Sequence, residues 1–284
     1  MKKKTTLFDI ALLFLLTIVC FSMLYPFVNT FFVSISQMKD IVQSNGMMLY
    51  PKDITWASYA YILNYSGLTN AYRNTIFITV IGTAIGLAVM TMGAFVLTHK
   101  NLPGQKLMTT FILITMFFSG GMIPSYINMS GLKLTNTLWV LILPCAINTW
   151  YMLLERNFIN AIPTELSESA KIDGASEITI LLRIILPLSA PIIATIALFH
   201  GVGRWNEYVN AIIYNSKEHL NVLQVIIRRL YSINIESMDM DSLPPPSESV
   251  RAAVIIFTTL PIICVYPFLQ RYFAQGIMVG SLKG

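Results

Sequence analysis

Six apolar runs, each long enough or nearly long enough to cross a bilayer, limit what this chain can become. They cover about residues 8–33, 75–98, 107–129, 137–154, 187–214 and 252–273. Crossing the hydrocarbon core takes about 20 residues of helix. A uniformly greasy soluble enzyme is the competing reading. Only 12% of the residues are charged, about half the usual share for a soluble domain. Those charges sit mostly between the runs, which is the pattern of a membrane protein. The expected fold class is therefore all-α, with six transmembrane helices in a single domain, 1–284.

The punctuation of the runs adds detail. Lys2, Lys3 and Lys4 precede the first run, which far exceeds the roughly 7–15 residues of a signal-peptide core. It reads as an uncleaved span with its basic end in the cytoplasm. Run two holds Gly82 and Gly86, a G-x-x-x-G spacing that permits close helix approach. Gly120, Gly121 and Pro124 interrupt run three, Pro144 lies in run four, and Pro261 and Pro267 lie in run six. Six crossings return the C-terminus to the cytoplasm. The short basic turn His99–Lys106 then lies inside, as positive residues in short loops require. Segments 34–74 and 215–251 become external loops, the second with a turn at Pro244–Pro246. Segment 155–186 becomes a cytoplasmic loop.

Partners follow from charge and cysteine usage. A net charge of +5 comes without a basic stripe interleaved with exposed aromatics, so nucleic acid is not expected. Cys20, Cys145 and Cys264 all lie within apolar runs. An odd number of cysteines in such surroundings suits neither a disulfide framework nor a metal site.

The 155–186 loop carries the most informative pattern. Pro163 fits the start of a helix, Thr164 is a candidate cap, and Glu165 suits the positive helix end. Gly174 fits the left-handed position that ends a helix. Between them lie Leu166, Ala170 and Ile172 on one hand, and Glu165, Glu168, Lys171 and Asp173 on the other. This is a two-faced helix of about ten residues, followed by a second from about Glu177. A helix lying on lipid usually has a basic polar face. This one is mostly acidic, which anionic lipid repels, so a protein partner explains it better.

Glu168-Ser169-Ala170, then Gly174, then Ile184, Leu186 and Pro187, resemble the E-A-A…G…I-x-L-P signature of permease subunits in binding-protein-dependent ABC importers. Ser169 departs from the usual second alanine but is also small. Phe199, Arg204–Tyr208 and Ala211 resemble the W-N-E-F region of carbohydrate-uptake permeases. Gln270–Gly280 resembles their Q-R-Y-F…G-x-x-x-G tail, and Phe118–Pro124 resembles the branch for complex saccharides.

The resemblance implies a type I ABC importer permease, similar to the smaller permease of maltose-type importers, in a bacterial cell membrane with both termini cytoplasmic. It implies a second permease subunit, an ATPase dimer and an extracellular solute-binding protein as partners. The substrate would be a sugar or oligosaccharide. Glu168, Ser169, Ala170, Asp173, Gly174, Ile184, Leu186 and Pro187 would couple the chain to the ATPase. The chain has no G-x-x-x-x-G-K-[ST] phosphate loop, so ATP and magnesium belong to that partner. This chain is not expected to be an enzyme or to bind a cofactor.

Run five places His200, Arg204, Trp205, Asn206 and Glu207 at membrane depth. Ionisable groups there are costly unless they face a cavity or a partner. His200 and Arg204, and Arg204 and Glu207, share helix faces. The five are candidates for the substrate pathway, with Arg204 suited to acidic sugars and Trp205 to stacking. The alternative is an Arg204–Glu207 brace beside a core tryptophan. Other functional readings are an ABC permease for another solute such as an amino acid, a secondary transporter, or an intramembrane hydrolase using Ser119 and His200. No inverted repeat supports the second, and no orienting carboxylate supports the third.

Overall fold

The computed structural model describes residues 6–44, 47–48, 50–99, 101–232 and 248–281, with only the backbone course given for Met38, Val42, Tyr266 and 268–281. Lys2–Lys4, Lys100, Lys283, the proline turn at 244–246 and the side chains of Gln270–Gly280 lie outside the described residues. Among the described residues the regular structure is helical, with one isolated antiparallel bridge between Ser36 and Ile54. The chain forms two compact units, Met1–Leu68 with Ile227–Pro261, and Thr69–Ile226 with Ile262–Gly284.

In the first unit, α1 (Leu7–Ser34) begins at a capping box. The Thr6 hydroxyl accepts from the Asp9 N–H at 3.4 Å, and the Asp9 carboxylate accepts from the Thr6 N–H at 2.8 Å. Two otherwise unpaired donors are satisfied there. Much of α1 is exposed apolar surface from Leu7 to Phe31, as a lipid-facing helix requires. The 34–74 segment, expected as an external loop, contains two short helices, α2 (Met38–Gln43) and α3 (Ala57–Leu63). A Lys39–Asp53 pair at 2.8 Å and the Thr55 N–H to Ile35 carbonyl bond at 2.8 Å tie it back. Phe32, Val33, Ile41, Met48 and Ala252 make the small core.

The second unit begins with α4 (Leu68–Thr98), seven residues before the expected start at 75. Apolarity alone misplaced that end, because Asn70, Arg73 and Asn74 are polar. Leu68, Ala71, Thr75 and Ile78 are buried at helical spacing, and tertiary packing on that face sets the boundary. Run three is two helices, α5 (Gln105–Phe117) and α6 (Met122–Gly131), bent by 114°. Gly121 has φ +87°, a conformation open to glycine at little cost. Pro124 sits in the first turn of α6, where its missing N–H breaks no helical bond.

Run four is not one helix. A short 3₁₀ turn, Leu138–Leu141, is followed by irregular backbone around Pro144 and then by α7 (Thr149–Ile159). The Asn148 side chain caps α7 by accepting from the Tyr151 N–H at 3.1 Å. Beyond α8 (Thr164–Ile172) comes α9 (Glu177–Leu188), which relaxes into a π turn over Leu181–Ile185.

Run five is also broken. After α9 the chain turns by 79° into α10 (Ala190–Trp205). Pro187 and Pro191 lack the N–H needed to continue the ladder, and their rings crowd the preceding turn. A second break at Asn206–Tyr208 precedes α11 (Val209–Tyr214). The remaining helices are α12 (Leu223–Ser232) and α13 (Glu248–Ser281), the latter running beyond the expected 252–273. Among the described residues, α1, α4 and the first part of α13 are each long and apolar enough to span. The α5–α6 and α9–α10 pairs, each taken as one crossing, bring the number to five.

Candidate functional site

The segment expected from the sequence to couple to an ATPase is built on the core of the second unit. Met90, Ala94, Phe95 and Leu97 of α4, Met152 and Ile159 of α7, and Ile180, Ile185 and Ile196 form that core. Ile162, Ala170 and Ala175 pack against it, half-buried. None of the nine residues of α8 is fully buried. The helix is thus fastened along one edge and open along the rest.

Its two ends differ from each other. Contrary to the sequence reading, Thr164 does not cap the N-terminus. The cap position falls on Pro163, with no side-chain bond, and Thr164 is already helical. The C-terminus closes as a complete Schellman turn. The Gly174 N–H donates to the Lys171 carbonyl at 3.0 Å, and the Ala175 N–H to the Ala170 carbonyl at 2.9 Å. Gly174 holds φ +81°, so the sequence reading of this glycine agrees with its backbone.

Glu177 ties this segment to α4. Its carboxylate meets Lys171 Nζ at 2.6 Å and His99 Nε2 at 3.2 Å. The Lys171 hydrogen bond chiefly holds the Glu177 carboxyl below its ordinary pKa, against a smaller opposing effect of partial burial, and His99 adds to the lowering. The end of α4 is closed from two sides. The Leu97 carbonyl accepts from Gln105 Nε2 at 2.8 Å and from Arg156 Nε at 3.1 Å. Sequence reasoning passed over Glu177, Gln105 and Arg156, because each acts on a residue distant in sequence or on a backbone group.

The other expected coupling residues fall into place around this tie. Glu168 and Ser169 are exposed on α8 and Asp173 at its C-cap, while Leu186 and Pro187 are exposed on α9. Ile184 is half-buried within the π turn. Leu166, Ile172, Ile178 and Leu182 are also exposed. The segment therefore presents both carboxylates and apolar side chains.

The intramembrane polar group departs from a row of pathway residues. Arg204 Nη1 donates to the Leu141 carbonyl at 3.0 Å and pairs with Glu207 Oε2 at 3.3 Å. That carbonyl is available because the helical ladder is broken before Pro144. Glu207 is buried and accepts, through Oε1, from the Asn210 N–H at 3.3 Å and Asn210 Nδ2 at 3.1 Å. The carboxylate thus satisfies the first turn of α11. Trp205 is buried edge-on against Tyr72, with ring centroids 5.8 Å apart. It is core, not a free stacking platform.

His200 is buried, with Tyr151 edge-on at 6.4 Å. Opposite it lies Gly86, where an added Cβ would stand 2.6 Å from His200 Nε2 and 2.8 Å from the Ala146 carbonyl. Gly82 lies 3.5 Å, on the same measure, from Arg204 Cδ. The two glycines of α4 and the two polar residues of α10 therefore match as antiparallel rungs. Of the five pathway candidates, only Asn206 is exposed; its amide accepts from Gln224 Nε2 at 3.2 Å. Phe199 and Gly203 share its exposed face at helical spacing.

Three helices of membrane length, two bent helix pairs and an exposed helix between those pairs mark the described part of the chain as that of a membrane protein. The chain belongs to the family described as "binding-protein-dependent transport system inner membrane component", whose model matches residues 87–279. Its fold is that of the type I importer permeases. It is 41% identical over 243 residues to protein LplC of Bacillus subtilis strain 168, covering 84% of this chain and 82% of that one. It is 36% identical to the polygalacturonan/rhamnogalacturonan transport system permease protein YtcP of the same organism, covering 99% of this chain and 100% of that one. Among solved structures, a chain of a bacterial ABC transporter that imports the acidic polysaccharide alginate superposes with a TM-score of 0.85 at 31% identity, covering 94% and 96% of the two chains.

Proposed function

We propose that this chain is one of two permease subunits of an ATP-driven importer for oligosaccharides, acidic ones in particular. The carrying observation is α8: an exposed helix closed by its own Schellman turn and fastened to the core by Ala170 and the Glu177 tie. A separate ATPase dimer would dock there, and an extracellular binding protein would deliver the sugar. ATP and magnesium would be held by the ATPase. The proposed topology has six crossings, with the irregular 137–154 stretch and α7 supplying one and both termini cytoplasmic. On that topology a cysteine at Lys217, in a cysteine-free background, is labelled by an impermeant reagent from outside intact cells. Labelling only after permeabilisation would overturn the orientation.

The substrate reading rests on the relatives' polyuronate and alginate transport, not on Arg204, whose charge is shared with Glu207. The test is uptake by the assembled importer, in vesicles with and without internal ATP, of matched neutral and uronate oligosaccharides. Uronate uptake that depends on ATP is expected. Uptake without ATP would favour a secondary transporter, and transport confined to neutral sugars or amino acids would reject the substrate class. In the same assay Arg204→Gln is expected to lower the amount of folded permease, since orphaning one member of a buried pair costs about 3–5 kcal/mol. The ratio of acidic to neutral uptake per folded molecule should not move. A changed ratio with normal folding would return Arg204 to the pathway.

A further inference from the structure

A groove of ≈ 710 Å³ follows one face of the N-terminal half of α4. Its rim holds Asn70, Arg73 and His219, and its wall is Ile76, Phe77, Val80 and Leu138. Asn74 fixes the rim: its Nδ2 donates to the carbonyls of His219 at 2.8 Å and Asn221 at 2.9 Å. Arg73 is exposed, and among the described residues it makes no ion pair or hydrogen bond. An unpaired cation thus stands directly above an apolar channel.

The α4 residues of rim and wall are successive levels of that helix. From Asn70 to Val80 the rise is about 15 Å at 1.5 Å per residue. Phe77 packs edge-on against Trp139, centroids 6.0 Å apart, and Trp139 remains 43% exposed. Tryptophan gathers where acyl chains meet headgroups. That places Arg73, one turn above Phe77, at headgroup depth, and exposed Ile76 and Val80 at acyl-chain depth. A soluble acidic sugar would match the rim but would face hydrocarbon along the wall. An amphiphile with an anionic head and an apolar tail matches both.

We propose that this groove binds an anionic phospholipid, its phosphate held at Arg73 beside His219 and one acyl chain lying along Ile76, Phe77 and Val80. The test uses the assembled importer in nanodiscs of phosphatidylcholine containing a minor fraction of phosphatidylglycerol. In paired samples one lipid or the other carries a photoactivatable acyl chain. Crosslinked peptides are mapped by mass spectrometry. Phosphatidylglycerol should label the α4 segment containing Ile76–Ile81 about fivefold over phosphatidylcholine, as one basic residue at an anionic headgroup gives. Arg73→Gln should erase that preference while leaving total labelling. Val80→Trp should remove labelling by both lipids at this segment. Both variants replace exposed side chains, and size-exclusion chromatography of the assembled complex checks that they fold. Equal labelling of wild type by both lipids would overturn the proposal. So would no labelling in the assembled complex, which would mean that another subunit covers the groove. Displacement of the label by inorganic phosphate or soluble uronate would also overturn it, marking a general anion site.

Discussion

Gly86→Ala is expected to destabilise the permease sharply, and Gly86→Leu to prevent its accumulation. The smallest possible side chain already brings Cβ to 2.6 Å from His200 Nε2 and 2.8 Å from the Ala146 carbonyl. The ring could turn aside, but the carbonyl is backbone. Inserting atoms into a packed helix contact costs about 1–3 kcal/mol, or about 2–12 °C in melting temperature for a domain of this size. Leucine multiplies the overlap. The check is thermal stability of the solubilised, assembled complex followed by size-exclusion chromatography. Gly131→Ala is the control, since nothing lies within 4 Å of its added Cβ. Adding His200→Ala should restore part of the loss, because it clears one contact and leaves the Ala146 carbonyl. A Gly86→Ala complex that melts with the Gly131→Ala control would show that the α4–α10 contact is looser than these distances.

That contact also shows how far the sequence could be read. The Gly82/Gly86 spacing was visible as a small-residue face. Its partners were not, because periodicity reports a face and not the helix across from it. His200 and Arg204 stood out as polar groups at membrane depth, which is a statement about burial. Their pairing with glycines more than a hundred residues away is a statement about topology. Trp205 was ambiguous for the same reason until Tyr72 was found against it. Signals carried by local backbone chemistry did better. Gly174 ended α8 as a left-handed cap should, whereas Thr164 failed as a cap because the preceding proline already held the extended conformation there. The prolines marked every broken run, yet an apolar window averages across a break. The interruption of run three at Gly120, Gly121 and Pro124 was legible, but the window still reported continuous spans where the chain breaks at Pro144 and turns at Ser189.

The largest functional effect is expected from Gly174→Val and Glu168→Lys, which should abolish ATP-driven uptake while leaving an inserted permease. Both sites are exposed, and an added Cβ at Gly174 meets nothing within 4 Å, so neither change disturbs the core. Their damage comes by different routes. At φ +81° a β-branched residue is strained by about 1 kcal/mol or more. Relieving that strain opens the Gly174–Lys171 and Ala175–Ala170 hydrogen bonds. The helix then loses the turn that leads to Ser176 and the Glu177 tie. Glu168→Lys leaves the helix intact and reverses a charge on the face proposed to meet the ATPase. Wrong-sign contacts at an interface cost several kcal/mol, and each 1.4 kcal/mol is tenfold in affinity. Gly174→Asn separates backbone from surface, since asparagine tolerates the left-handed region. It should retain most transport where valine does not. The measurements are ATPase retained on affinity-purified permease and ATP-dependent uptake, normalised to inserted protein. Glu168→Lys should lose the ATPase outright. Gly174→Val should lose either the ATPase or the transport coupled to it. Full retention and uptake in both variants would remove α8 from the coupling path, and equal loss in Gly174→Asn and Gly174→Val would show that the glycine matters for its small size and not for its backbone.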